Sequence, residues 1–533
     1  MKTLYYNGLI YTMDSKKPLV NAMLVEDNKI TAIGSVEELI RDIESTVIRH
    51  DLNNKAVLPG FNDAHLHLYA FANQSNFINL FQCPSMEEAK KKVADFVRLK
   101  KLGVKQLIIG KGWHETSINN GMPLTKKDLD HITNDYPMVW VRVCGHSCVV
   151  NTKGLELFSI QESKTDQDGF IDFETGVITE QAMDIMEPFL DKTTMEQAKK
   201  TILSGLQIGL QNGITSMQTD DLSSIPHEDY HFMLEAYQTL HQEKKLPIRI
   251  YLQARLGLTK LKEFIDEGYY TNWGDDFLKI GPLKIMTDGS LGARTAALCC
   301  DYADQLGETG ILYYQDQELF QLMDFAHHHR MQIVAHAIGD RAMFQILDQL
   351  KQIKKTAKNE MRHGIIHCQI TTREIIRKMQ EENILAIIQP IFLDDDIAII
   401  KQRLGEDRAK ESYAFQSMLE KQIPTALSTD CPVTSLNPFA NIQAACLRQT
   451  RKGYPENGFY PEERLTVYEA VHAYTNGGAY ASFDEHKKGK LIPGFFADFI
   501  VINQDIFTIP MEQIERTQVL TTIVDGKVRF ESQ

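Results

Sequence analysis

Apolar, β-prone runs recur along this chain, and several stop at a polar side chain able to bind a metal or move a proton. The first, Ala56-Val57-Leu58, leads through Pro59-Gly60-Phe61-Asn62-Asp63-Ala64 to His65-Leu66-His67. Four more share the form: Gly281 to Asp288 through Lys284, Gln332 to His336, Gly364 to His367, and Thr425 to Asp430. The pattern predicts barrel strands near 56–65, 213–218, 247–254, 282–288, 332–336, 364–368, 385–390 and 425–430. Helical periodicity fills most gaps, as in Gln317 to His329 and Thr372 to Glu382. Strands that end in functional groups and alternate with helices suggest a parallel barrel whose site gathers at the strand C-termini.

The two ends of the chain read differently. Leu4-Tyr5-Tyr6 precedes a turn at Asn7-Gly8, Ala22 to Val25 precedes Glu26 to Lys29, and Ile30 to Ile33 precedes Gly34. At the far end, Ala497 to Ile502 and Gln518 to Val524, the latter before Asp525-Gly526, have the same hairpin character. Neither end alone has enough strands for a stable sheet, so both are expected to build one domain. The expected fold class is therefore an α/β chain: a (β/α)8 TIM-like barrel over 59–489, with a small β-sandwich from 1–58 and 490–533. A long insertion, about 70–200, follows the first barrel strand because that gap is too long for one helix.

Composition narrows the function classes. With 533 residues the chain can bury a large core. A formal net charge of −14 argues against nucleic acid or an anionic membrane as partner. The start, Met1-Lys-Thr-Leu-Tyr-Tyr, lacks a signal-peptide core, and no run approaches the roughly 18 apolar residues of a membrane span. The expectation is a cytoplasmic protein acting on a small molecule, with room for a homodimer. The eight cysteines, among them Cys144, Cys148 and the vicinal Cys299-Cys300, form no Cys-x-x-Cys pair and read as buried reduced thiols.

Candidate chemistry starts from the two histidines. In a strand, positions i and i+2 face the same way, so His65 and His67 can share one ion. Together with His336, His367 and Asp430 they form an N- and O-rich set suited to zinc or a similar divalent ion. Lys284 is ambiguous. A protonated amine cannot ligate a cation, and the simple reading is an ion pair with Asp288; carboxylation by CO2 would instead make a carbamate able to bridge two metals.

Several motifs carry a resemblance to a known family. They are Leu58 to His67, Lys284 to Arg294-Thr-Ala, His336-Ala-Ile-Gly-Asp340-Arg341-Ala342, Arg362 to Gln369, Gln389-Pro390, Ser428 to Val433, and Ile492 to Asp498. In this order, over nearly the whole chain, they resemble the amidohydrolase superfamily of metal-dependent hydrolases, in the branch that includes N-substituted formamide deformylase-like proteins. The resemblance implies that His65 and His67 bind the buried metal, that His336 and His367 bind a second, and that a carboxylated Lys284 bridges them. Asp430 would ligate the first metal and serve as general base and acid toward water acidified by the metal. Ser428-Thr429-Asp430 departs from the branch's usual Gly-Ser-Asp-like turn, and Gly364-Ile-Ile-His367 lacks the acidic residue that often precedes the histidine. Candidate substrate contacts are Trp113 at a pocket mouth, His146 as an oxyanion donor, Arg294 toward an anionic group, and Gln389, while Asp340 and Arg341 are read as helix-capping or ion-pair residues. The implied reaction is hydrolysis of a carbon-nitrogen bond other than a peptide bond, in an amide, formamide or cyclic amide, with one or two divalent ions, zinc foremost. Two other readings are a mononuclear zinc aminohydrolase that deaminates a ring, and a non-catalytic relative, which would be marked by lost ligands.

Overall fold

The structure is a computed structural model that describes residues 2–41, 47–81, 83–119, 121–142, 147–166, 169–189, 193–225, 229–354 and 359–532. Eight parallel strands form the barrel: β1 (Phe61–Leu66), β2 (Ile214–Thr219), β3 (Arg249–Ala254), β4 (Leu278–Met286), β5 (Ile333–Ala337), β6 (Gly364–His367), β7 (Leu385–Ile388) and β8 (Thr425–Leu427). They pair in chain order from β1 to β8. Helices between them include Asp316–His328, Asp340–Lys354 and Arg373–Glu381. The last starts where its sequence says it should, since the Thr372 hydroxyl accepts the Ile375 N–H at 3.2 Å.

Hydrogen bonds just beyond the strand ends cross the β8–β1 seam. The Asp430 N–H donates to the His65 carbonyl at 2.9 Å, and the His67 N–H donates to the Cys431 carbonyl at 2.8 Å. The buried Asp63 carboxylate accepts the Thr429 N–H at 3.1 Å and the Thr429 hydroxyl at 2.7 Å. The residues that bear the candidate chemistry on β1 and after β8 are thus tied together by backbone.

Inside the barrel, Ala64, Val334, Ile366, Leu385, Ile387, Ala426 and Ala481 pack in one cluster. Ala481 belongs to a segment that closes the N-terminal end, where Lys279 pairs with Asp484 at 2.8 Å and Gln332 donates to the Ala481 carbonyl at 3.2 Å. That leaves the C-terminal end for a site.

Strands from both termini form one sheet: Lys2–Tyr11, Leu19–Glu26, Lys29–Gly34, Ile48–Asp51 and Ala56–Pro59 with Phe499–Ile502, Val519–Val524 and Lys527–Glu531. Hydrogen bonding links these eight strands into one continuous sheet. Lys2–Tyr11 pairs with Ile48–Asp51 along its first half and with Ala56–Pro59 along its second. The switch falls at Asn7-Gly8, which is an irregularity inside one strand, with Asn7 at φ 55°, and not the expected turn.

A second correction concerns the run Ala56 to Leu58. It pairs antiparallel with Phe499–Ile502 in the terminal sheet and does not continue into β1. Gly60 is where the chain changes sheets: its N–H bonds the Asp498 carbonyl, and the next N–H bonds Gly213. A Cβ at Gly60 would stand 2.2 Å from the Thr215 side chain, so only glycine permits the approach. Arg249, at the start of β3, joins sheet and barrel. Its guanidinium is buried, pairs bidentately with Asp498 at 2.7 and 3.1 Å, reaches Asp525 at 3.2 Å and lies 3.9 Å from the Phe496 ring centroid.

The chain divides into two compact units, Met1–Ala70 with Ala198–Gln533, and Phe71–Gln197. The second holds its own seven-stranded mixed sheet, with a core that includes Ile108, Trp113, Met138 and Trp140. Among the described residues five cysteines are buried as expected, but Cys299 and Cys300 are exposed, because they lie on the long loop after β4 and not in an element with an inward face; Cys144 lies outside the described residues. Among the described residues, no helix is long and apolar enough to cross a membrane.

Candidate metal centre

The candidate ligands come from five of the eight barrel strands, at the mouth. His65 lies on β1 and His67 just after it; Lys284 is on β4, His336 on β5, and His367 ends β6; Asp430 follows β8. The Nε2 atoms of His65 and His67 stand 3.4 and 3.2 Å from Asp430 Oδ1. The four imidazoles run in a chain, with ring centroids 5.1 Å apart for His67 and His65, 6.3 Å for His65 and His367, and 4.5 Å for His367 and His336. Lys284 Nζ lies 3.1 Å from His65 Nε2. All the residues expected to bind metal are therefore brought together.

Neighbouring strands set the ring orientations. Nδ1 of His65 bonds Gln253 Oε1 at 2.8 Å, Nδ1 of His336 bonds Asp288 Oδ1 at 3.0 Å, and Nδ1 of His367 bonds Gln389 Oε1 at 2.9 Å. The amide orientations follow from their other bonds, since Gln253 Nε2 donates to the Ala64 carbonyl at 3.2 Å and Gln389 Nε2 to the Ile387 carbonyl at 3.4 Å. An acceptor at Nδ1 keeps the proton there and leaves the Nε2 lone pair free. Two candidate ligands also sit on left-handed backbone, His367 at φ 84° and Asp430 at φ 54°, a conformation non-glycine residues keep only where the surroundings enforce it.

Burial holds His65 and His367 well below the ordinary histidine pKa, so both are neutral donors at pH 7. Burial pulls His67 the same way, but the nearby Asp430 carboxylate outweighs this and raises it. Lys284 is fully enclosed, and desolvation lowers it to about 8 against the opposing pull of Asp220 and Asp430. Asp430 Oδ1 is buried and lacks a hydrogen-bond partner, although two imidazole nitrogens face it. An unmet buried acceptor surrounded by lone pairs is what a cation would satisfy. Among the described residues, His65, His67 and Asp430 form the group whose ligand atoms lie within 4.8 Å of one another. His336 and His367 have no carboxylate in such a group.

The substrate contacts fare differently. Trp113 is buried in the core of the 71–197 unit, with its indole N–H on the Trp140 carbonyl at 2.9 Å, so it packs and does not line a mouth. Arg294 is committed to Asp304, at 3.1 and 2.8 Å. Gln389 spends its amide on His367 and Ser428. His146 lies outside the described residues. The expected Lys284–Asp288 pair is not formed, because the Asp288 carboxylate accepts from His336 Nδ1 and from the N–H groups of Ala297, Ile338 and Gly339. Asp340 opens its helix and accepts the Cys299 N–H at 2.9 Å, and Arg341 donates to the Gly310 carbonyl at 3.1 Å.

Sequence reasoning missed Gln253, Asp63 and Asp220, and gave Asp288 to Lys284 where the structure gives it to His336. A signal existed, because each is a polar residue in or at the end of an apolar strand run and is buried.

Comparison with known proteins follows the same lines. The model of the amidohydrolase family matches residues 50–530. The Bacillus subtilis (strain 168) protein YtcJ is 29% identical over 540 residues, covering 100% of both chains. N-substituted formamide deformylase of Arthrobacter pascens is 22% identical over 549 residues, covering 98% of this chain and 97% of that one. The crystal structure of an uncharacterised metal-dependent hydrolase from Pyrococcus furiosus superposes with a TM-score of 0.77 at 27% identity, over 95% of this chain and 100% of that chain.

Proposed function

The chain belongs to the amidohydrolase family, and from that premise we propose that it hydrolyses a carbon-nitrogen bond in a small amide, formamide or cyclic amide. The observation that carries this reading is the convergence of His65 Nε2 and His67 Nε2 on the unpartnered Asp430 Oδ1 at the barrel mouth. A divalent cation bound there, with zinc suited to the N and O donors, would polarise the scissile carbonyl and acidify water from a pKa of about 15.7 toward 7. His65, His67 and Asp430 would hold one ion, and His336 and His367 a second.

Lys284 supplies what the second pair lacks. A lysine lowered to about 8 by burial is half unprotonated at that pH, and a free amine is the form that adds to CO2. The N–C bond forms, one proton leaves, and an anionic carbamate replaces a cation beside the histidines. Asp430 then handles the remaining proton traffic: it takes one proton from the attacking water and delivers it to the leaving nitrogen as the C–N bond breaks. The products are a carboxylic acid and an amine, formate and an amine from a formamide, or a single ring-opened molecule bearing both groups from a cyclic amide. The formamide class is also what one relative's name specifies.

Zinc-loaded protein should be screened against N-substituted formamides, N-acyl amines, cyclic amides and aminopurines, with amine and acid release measured. Turnover of an amide or formamide, abolished by chelator and restored by zinc, is expected. Ammonia release from aminopurines alone would replace this reading with a deaminase.

A further inference from the structure

Three of the four histidines at the barrel mouth have a side-chain acceptor on Nδ1, a role shared by Gln253, Asp288 and Gln389. The fourth, His67, does not complete the pattern within hydrogen-bond distance, yet a buried carboxylate faces the same atom. Asp220 follows β2, is 1% exposed, and places Oδ2 3.8 Å from His67 Nδ1. Both of its carboxylate oxygens are buried without a hydrogen bond. Such a group is costly to leave unpaired, so it should have a partner in the working protein.

The backbone keeps the two side by side. The Asp220 N–H donates to the Leu66 carbonyl at 3.0 Å, the Thr219 hydroxyl accepts the Leu68 N–H at 3.0 Å, and Asp221 accepts the Tyr69 N–H at 3.0 Å. The chain on either side of His67 is thus fastened to Thr219, Asp220 and Asp221. Two cations also act on Asp220: Lys284, which is attracted by it but sits against His65 at 3.1 Å, and Arg255, whose Nε lies 3.8 Å from the same oxygen but whose side chain is 43% exposed, so that water can serve it instead.

We propose that Asp220 is the positioning residue for His67: it accepts the Nδ1 proton when Nε2 engages a cation, and so fixes the tautomer and ring plane of that ligand. The inference rests on the metal-centre reading given above. It makes Asp220 the fourth member of one device, in which two amides serve His65 and His367 and two carboxylates serve His336 and His67.

The test compares zinc affinity, by chelator competition, and the visible spectrum of cobalt-substituted protein for wild type, Asp220→Ala, Asp220→Asn and Arg255→Gln. Asp220→Ala should weaken binding by about 10- to 100-fold and shift the cobalt bands. Asp220→Asn should stay within a few-fold of wild type with an unshifted spectrum, because an amide oxygen already does this work for two of the other rings. Arg255→Gln should leave both readouts unchanged. Wild-type affinity in Asp220→Ala would overturn the inference, as would an Arg255→Gln loss matching that of Asp220→Ala. If the alanine variant does not fold, Asp220→Asn decides alone, and a loss of about tenfold or more would overturn the inference by marking Asp220 as a direct charged ligand. Failure of wild type itself to bind zinc or cobalt is a different result and would refute the metal-centre reading.

Discussion

Replacing Asp288 with asparagine should force the protein to sacrifice either stability or its second metal position. The two oxygens of Asp288 divide four donors between them: Oδ1 takes His336 Nδ1 at 3.0 Å and the Ile338 N–H at 3.1 Å, while Oδ2 takes the N–H groups of Gly339 at 2.8 Å and Ala297 at 3.0 Å. An asparagine must turn its NH2 toward one pair. Turned toward Gly339 and Ala297, it leaves two buried N–H groups unpaired at about 1–3 kcal/mol each, or roughly 2–6 kcal/mol together. The chain cannot easily move away, because a Cβ at Gly339 would already lie 1.9 Å from the Ala297 carbonyl. Turned toward His336 and Ile338, the NH2 leaves the single Ile338 N–H unpaired at about 1–3 kcal/mol and can be accepted by the imidazole only if its proton moves to Nε2, the atom needed for a metal, so that affinity should also fall by about 10- to 100-fold. Thermal denaturation in chelator and zinc competition titrations on the same preparation separate the two outcomes. A variant within about 0.5 kcal/mol of wild type in stability, and unchanged in zinc affinity, would refute the role given to Asp288.

Three further outcomes are expected. Asp430→Asn should lower kcat by about 10²- to 10⁴-fold with an unchanged circular dichroism spectrum; activity near wild type would remove Asp430 from proton transfer. Arg249→Met should leave the buried Asp498 carboxylate without its cation and cost about 3–5 kcal/mol in urea denaturation, with zinc affinity retained; a loss under about 1 kcal/mol would show that the ion pair does not hold sheet and barrel together. His67 must shed its proton to bind a cation, and in the metal-free protein Asp430 raises its pKa above the ordinary value of 6.5. Apparent zinc affinity should therefore rise with pH from below 6.5 until it passes this raised value, and then level off; a flat profile from pH 6 to 9 would contradict the assignment.

The barrel and the convergence of the candidate ligands were legible because strand direction and position carry the information. A histidine closing an apolar run, as in Gln332 to His336 or Gly364 to His367, needs only the parallel topology to reach the mouth. Asp430 is read in the same way, although its own position lies beyond β8 and depends on the hydrogen bonds with His65 and Cys431. Which orienting residue serves which histidine was not legible, since Gln253 serves His65 across strands separated by 188 positions and nothing local marks that pairing. Asn7-Gly8 misled for a related reason: its left-handed backbone suits a turn or a strand irregularity equally, and only the neighbouring Ile48–Asp51 and Ala56–Pro59 strands decide. Trp113 looked available beside two glycines, but its fate was settled by Trp140, a strand away.

The central claim is a binuclear hydrolytic centre bridged by Lys284, and metal stoichiometry measured against activity tests it most directly. Chelator-treated protein would be titrated with zinc in the presence and absence of bicarbonate, with bound metal and amide or formamide hydrolysis followed together for wild type and Lys284→Ala. With bicarbonate, wild type should bind two ions per chain, with hydrolysis appearing as the second ion binds, and Lys284→Ala should bind one and lose most activity. Full activity at one ion per chain, independent of bicarbonate and retained in Lys284→Ala, would contradict the account and leave a mononuclear site on His65, His67 and Asp430.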